Sequence, residues 1–379
     1  MTMVKTPQEI EAALSKELCY TKYAAKTLRP LRGGTANFVY HAQLHEPLPS
    51  GISEVLVKHG EGYVAAKPDF ALTTLRCEIE SLNMRMLSNL PHVTSPWYDV
   101  STPEMYYFDC NTNTQIHEYL PNAINLKDYA LKHYQRPVST EIKVQCIQLG
   151  EALGEWLRKF HIWGGEFDGG AQLQAPVMRN QVAWNSDMQA LKKTLNYDQL
   201  LRMEQEFPGL LEDQRHVLQE IINMVAAERQ DQSRLDVIHG DFWTGNVLLP
   251  DAPLQENPPT PVKIVDWEMA QLGIRAEDVG QLIAELWQLK LYKGIYAGIW
   301  IIEGFVAGYG TMDMAFRFRA LLHVGAHMVC FGSRTANWGT RSQNEHIARI
   351  GRDVLLRAWE KDRQAFKGHD LQCLLWWEL

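Results

Sequence analysis

The chain has 379 residues, 46% hydrophobic and 22% charged, the balance of a globular protein with enough core for two domains or one large two-lobed unit. A formal net charge of −8 argues against the basic surface that nucleic acid or an anionic membrane requires, so neither is expected as a partner. Six scattered cysteines, Cys19, Cys77, Cys110, Cys146, Cys330 and Cys373, include no CxxC pair; they read as free thiols of a reducing, cytoplasmic setting rather than a disulfide framework or zinc site.

In chain order, "MTMVKTPQEIEAALSKELCY" reads as a polar, capped helix without the apolar core of a signal peptide. "KTLRPLRGGTANFVYHAQL" holds two strand-like runs around a Gly-Gly turn, and "SEVLVKHG" a short β-rich run from Val55 to Lys58. Leu72, Leu75, Ile79, Leu82 and Met86 recur at helical spacing. Three strand candidates follow, "WYDVS", "EMYYFDC" and "TQIHEYL", the last ending at Leu120.

The chain then turns helical. "STEIKVQCIQLGEALGEWLRKFHIW" predicts a long amphipathic helix with Ser139 or Thr140 as N-cap. Helical periodicity continues from Leu191 to Arg229, broken at Pro208-Gly209. "VIHGDFWTGNVLLP" is strand, loop, strand; the Pro-rich "PDAPLQENPPTPV" is a surface loop leading to the strand of "KIVDWEMA". From Glu277 onward the chain reads mainly as helices. The apolar run Gly294 to Gly310 carries Glu303 and falls short of the ~20 residues of a membrane span, so a buried helix is expected. The resulting expectation is an α+β fold: a small strand-rich lobe with one helix over residues 1–119, then a larger, mainly helical lobe over 120–379, with ligands in a cleft.

Phosphoryl transfer to an alcohol needs a cover and a cation for the phosphates, oxygen ligands for magnesium, and a base near the attacking hydroxyl. The loop "HGDFWTGN" supplies Asp241 and, five positions later, Asn246, the spacing of base and metal ligand in a kinase catalytic loop. Asp266, at the end of the next strand, adds a carboxylate that could share the metal, and is followed by Trp267 and Glu268.

These motifs resemble the aminoglycoside phosphotransferase/choline kinase group of small-molecule kinases. "HGDFWTGN" is similar to its H-G-D-x-x-x-x-N motif, "IVDWE" to its metal motif, "LGEWLRKFH" to the helix preceding the loop, and "LRGGTANFVYHAQL" to its nucleotide loop. Among subgroups, "DFWTGNVLL" with "IVDWEMAQLG" looks closest to methylthioribose kinase and fungal 4-hydroxytryptamine kinase. The resemblance implies a protein-kinase-like fold that uses ATP and Mg2+ on a small-molecule alcohol. It implies Asp241 as base, Asn246 and Asp266 as magnesium ligands, and Glu268 as a carboxylate reaching metal or substrate. It also implies Lys58 on the α- and β-phosphates, Gly33, Gly34 and Asn37 as their cover, and the backbone of Glu118, Tyr119 and Leu120 against adenine. Glu78 and Glu80 compete as partner of Lys58, since a helix sets them about 200° apart; the resemblance favours Glu78.

Departures bear on the acceptor. Gly240 stands where protein kinases carry an arginine, and Asp278 follows Asp266 by only twelve positions, which leaves no peptide-docking segment. Asp241 and Asn246 could simply cap a turn. His239 and His161 read as structural histidines, and Asp278 as a helix cap or a support for the loop. The aromatics Trp287, Tyr292, Tyr296, Trp300, Phe305, Tyr309, Phe331 and Trp338 read as core, with an acceptor pocket beside Glu285 or Glu303 as the alternative. Two other functions remain open: a catalytically inactive, kinase-like binding protein, and a metal-dependent phosphoester hydrolase built on His239, Asp241 and Asp266.

Overall fold

The computed structural model describes residues 4–31, 33–135, 139–165, 174–254 and 257–376. Arg32 of the glycine turn and Gln255 and Glu256 of the Pro-rich loop lie outside these. The chain forms two compact units, Met1–Asn89 with Thr102–Pro121, and Leu90–Ser101 with Asn122–Leu379.

In the first unit, strands Ala25–Pro30, Phe38–Leu44, Glu54–His59, Thr114–Glu118 and Met105–Asp109 form, in that spatial order, an antiparallel sheet. Helix Pro7–Leu18 starts from a capping box between Thr6 and Glu9, which satisfies backbone donors that the first turn leaves without partners. Its Ile10, Leu14 and Leu18 repeat every four residues and pack with Tyr40, Ala42, Val55, Val57 and Ile116; each such burial contributes about 1.5–3 kcal/mol. Strand alternation puts Lys58 on the face opposite Val55 and Val57.

In the second unit, a five-stranded sheet runs Ala123–Asn125, Val247–Pro250, Thr260–Ile264, Tyr98–Ser101, Val93–Thr94. Residues 90–101 belong here because Tyr98–Ser101 pairs in parallel with Thr260–Ile264. The long helix Thr140–Gly165 has Ser139 at its start, where Ser139 Oγ accepts from the Ile142 N–H. It meets helix Ala297–Tyr309 through glycine. A Cβ on Gly150 or Gly154 would stand 2.1–2.2 Å from carbonyl oxygens of the partner helix, and one on Gly304 or Gly308 1.9–2.0 Å from those of the long helix. Strands Asp236–Ile238 and Gln271–Gly273 pair antiparallel, which brings the loop after Ile238 beside the turn before Gln271.

The expected α+β class, with an antiparallel N-terminal sheet and a mainly helical remainder, is the architecture found. Among the described residues no helix is long and apolar enough to cross a membrane; the run containing Glu303 is the largely buried helix Ala297–Tyr309.

Candidate active site

The loop after Ile238 turns at Gly240, whose φ is 77°. A Cβ there would lie 2.2 Å from the Met269 carbonyl oxygen, so only glycine fits. The backbone N–H groups of His239 and Gly240 donate to the two carboxylate oxygens of Asp278 at 2.8 and 2.9 Å. Asp278 is buried and is braced by His161, whose Nε2 lies 3.1 Å away and whose Nδ1 lies 2.9 Å from the Tyr309 hydroxyl. His239 uses both ring nitrogens: Nε2 lies 3.1 Å from the Val265 carbonyl, and Nδ1 accepts from the Asp241 N–H at 3.3 Å. This network assigns the Nε2–H tautomer. Burial holds the proton affinity of both histidines below the usual value, so they act here as neutral braces.

The loop alternates inward and outward residues. Phe242 is buried, parallel to the Trp156 ring at 6.3 Å. Trp267 is also buried, edge-on to Phe160 at 4.9 Å and 4.4 Å from the His239 ring. These anchors leave Asp241 half-buried. Its Oδ1 accepts from Lys192 Nζ at 3.1 Å and Gln281 Nε2 at 2.8 Å, and its Oδ2 from Asn246 Nδ2 at 3.2 Å. Burial alone would raise the proton affinity of this carboxyl. The Lys192 ammonium and then the Gln281 amide outweigh it and hold Asp241 below the ordinary aspartate value. A carboxylate has about four acceptor positions; these three donors leave one, on Oδ2. An ionised carboxylate so arranged can accept one proton at a defined atom.

Asn246 is buried, and its Nδ2 also donates to the Asp241 backbone oxygen at 3.0 Å. The amide nitrogen is therefore committed to Asp241, which leaves the carbonyl Oδ1 as the end suited to a cation. The Asn246 backbone oxygen accepts from the Val265 N–H at 3.0 Å, tying the loop to the turn that carries Asp266. Asp266 adopts a left-handed conformation, φ 68° and ψ 65°, a strain of about 1–3 kcal/mol for a residue with a side chain. A carboxylate oxygen of Asp266 lies within 4.8 Å of one of Glu268. Buried Asn185 fixes the turn by donating to the carbonyls of Glu268 and Ala270 at 2.9 and 2.8 Å. Amide and carboxylate oxygens are hard donors, the chemistry that magnesium selects.

In the first unit Lys58 Nζ donates to Glu80 Oε1 at 2.7 Å, and Glu80 Oε2 accepts from Gln115 Nε2 at 3.0 Å. The preference for Glu78 is thus corrected. Glu80 is buried and Glu78 exposed, because the helix turns the two to opposite sides. Gly33 and Gly34 lie in an exposed turn, with φ 117° at Gly33. Asn37 is buried, and its Oδ1 accepts from Arg76 at 2.9 Å. Glu118, Tyr119 and Leu120 are half-buried, with Tyr119 stacked on His41 at 4.1 Å.

Lys192 and Gln281 were not singled out from the sequence. Lys192 and Met188 are the buried residues of the short helix Ser186–Lys193, and their i, i+4 spacing was the available signal. Gln281 follows Asp278 by three positions on helix Arg275–Lys293, and so shares its face.

A family model described as "Phosphotransferase enzyme family" matches residues 46–314. Phosphotransferase FrzJ of a Cladobotryum species is 27% identical over 376 residues, 96% of this chain and 95% of that one. The 4-hydroxytryptamine kinase of Psilocybe cyanescens is 22% identical over 365 residues, 95% of each. Among solved structures, a choline/ethanolamine kinase family protein from Mesorhizobium loti aligns with a TM-score of 0.49 at 15% identity, covering 93% of this chain and 99% of that one. The family match takes in more than half of the sequence and contains the whole Asp241–Asn246–Asp266 arrangement; the chain belongs to the phosphotransferase enzyme family.

Proposed function

We propose that the protein is an ATP- and magnesium-dependent kinase that transfers the γ-phosphoryl group to a hydroxyl of a small molecule. The acceptor classes are a sugar-like metabolite, an amino alcohol or a hydroxylated aromatic amine; the names of the relatives favour the amine-bearing ones. The observation that carries this reading is the single acceptor position left on Oδ2 of an Asp241 held ionised by Lys192 and Gln281.

In this reading Asp241 Oδ2 orients the acceptor hydroxyl and takes its proton. The acceptor oxygen bonds to the γ-phosphorus as the bond from that phosphorus to the β–γ bridging oxygen breaks, and ADP leaves with that electron pair. Asn246 Oδ1, Asp266 and Glu268 hold magnesium, which when bound withdraws charge from the phosphate oxygens. Lys58, steered by Glu80, pairs with the α- and β-phosphates; Gly33, Gly34 and Asn37 cover them; the backbone of Glu118 to Leu120 receives adenine. Most of the rate enhancement comes from positioning and fixed charge.

The test is incubation with MgATP and a broad panel of small alcohols, with ADP release and phosphomonoester mass as readouts. Asp241→Asn should lower acceptor-dependent turnover by about 10²–10⁴-fold while retaining ATP binding. Near-parent rates in that variant refute the role of Asp241. No acceptor-dependent ADP release from the parent protein across the panel would favour a binding protein without turnover.

A further inference from the structure

Lys127 is the second residue of the helix Leu126–His133. Its ammonium stands 4.9 Å from the ring centroid of Trp243, 4.7 Å from that of Trp338, and 3.0 Å from Glu285 Oε2. Two indole faces and one carboxylate around a single nitrogen make an ammonium receptor. The walls are held from behind. Tyr292 meets Trp338 edge-on at 5.8 Å, and Lys293 Nζ donates to the Trp338 backbone oxygen at 2.9 Å. Glu285 Oε1 receives His327 at 2.8 Å and Gln288 at 3.1 Å.

One atom of this box is poorly served by its present occupant. Glu285 Oε2 is buried and has Lys127 as an ion pair, and among the described residues no donor is aligned on it for a hydrogen bond. Native interiors rarely leave such atoms unmatched. Burial would raise the Glu285 carboxyl, but the His327 hydrogen bond and then the Lys127 charge hold it down at about 2, so an ionised carboxylate faces the ammonium. The occupant is tethered to a helix and brings charge without hydrogen-bond alignment. Its side chain keeps 15% of its surface exposed, a route back to water.

We propose that this box is the ammonium subsite for the acceptor, and that Lys127 is an internal plug which an incoming alkylammonium displaces from between Trp243 and Trp338. The proposal rests on the kinase reading and narrows its acceptors to amine-bearing alcohols. Trp243 lies two residues after Asp241 in the same loop, and Glu285 shares a helix with Asp278 and Gln281, so the subsite and the base are built from common elements. An untethered ammonium can turn an N–H onto Oε2, and the released lysine regains rotamer freedom.

The test is a titration without nucleotide, followed by tryptophan fluorescence and calorimetry, using tyramine and tetramethylammonium as cations and 4-ethylphenol as neutral control. Lys127→Met should bind both cations about tenfold more tightly than the parent, the scale of one desolvated cation–π pair, with 4-ethylphenol unchanged. Glu285→Gln should abolish cation binding. Tetramethylammonium should raise the melting temperature of Lys127→Met above that seen in sodium chloride of equal ionic strength, a readout that survives if the variant is destabilised. Equal cation affinity in Lys127→Met and parent, undiminished binding in Glu285→Gln, or no cation binding by any variant overturns the proposal. Because the titration contains no ATP, its failure is separate from failure of phosphoryl transfer.

Discussion

At Asp241 three donors from three separate segments, Lys192, Asn246 and Gln281, leave one acceptor position on Oδ2. Lys192 contributes the charge, so its removal has a defined sign. In Lys192→Met the carboxyl rises from its depressed value, because burial is then no longer outweighed by the ammonium. The acid limb of kcat/KM then moves to higher pH, kcat falls, and KM for ATP stays near the parent value; an unmoved acid limb would show that Lys192 has no such role. Lys192→Arg should restore the limb in part. Glu80 and Glu78 allow a paired comparison. Glu80→Gln removes the carboxylate from Lys58 and should destabilise the first unit by about 1–3 kcal/mol, while exposed Glu78→Gln should stay within about 0.5 kcal/mol in urea titrations. The pairing of Asp241 with Asn246 was legible in "HGDFWTGN". The choice of glutamate was not, since periodicity separates the two faces without saying which one is covered.

Among the elements, helix Arg275–Lys293 does the most positioning. Asp278, Gln281 and Glu285 fall at i, i+3 and i+7, one face of a helix. Along that face they hold the loop backbone, the Asp241 carboxylate and the ammonium box. The long helix was legible from its apolar stripe, and the strand candidates "WYDVS", "EMYYFDC" and "TQIHEYL" correspond to Tyr98–Ser101, Met105–Asp109 and Thr114–Glu118. The stretch after Leu191 was read as continuing helix. It breaks into a π-helical turn at Thr194–Asp198 and a 3-10 turn at Leu200–Arg202, with buried Tyr197 hydrogen-bonded to His323 and Arg319. The glycine pairs of the long helix and of Ala297–Tyr309 carry a stability prediction. In Gly304→Val a side chain must enter where even a Cβ stands 1.9 Å from the Ile147 oxygen. The helices must separate, at a cost of about 3 kcal/mol, read as a lower urea midpoint; an unchanged midpoint would refute the close contact.

At the scale of the molecule, buried histidines couple folding to pH. His117 is held at about 3, and His161, His239 and His323 also lie below the usual histidine value, in each case first through burial. A group depressed in the folded state adds stability that is complete above its unfolded value. That stability is lost as pH falls from there toward the folded value. The urea midpoint should therefore drop between pH 7 and pH 5, with each such histidine giving up to roughly a tenfold change in the folding equilibrium per pH unit. A flat profile would mean that these rings are already protonated in the folded protein. The two units have separate cores, one organised by helix Pro7–Leu18 against its sheet and one by the glycine-paired helices. Pro208-Gly209 and the Pro-rich loop marked breaks within the second unit.

The sequence by itself determined the class of fold, the order of most of its elements and the pairing of Asp241 with Asn246 in one loop, because hydrophobic period, turn residues and motif spacing act over a few neighbouring positions. Tertiary structure alone decided that Glu80 meets Lys58, that Lys192 charges Asp241 from 49 residues away, and that Lys127 fills a box made by Trp243, Glu285 and Trp338. A local pattern assigns a side chain to a face; which charge waits opposite is set by how distant segments pack, and burial then makes that one partner dominate.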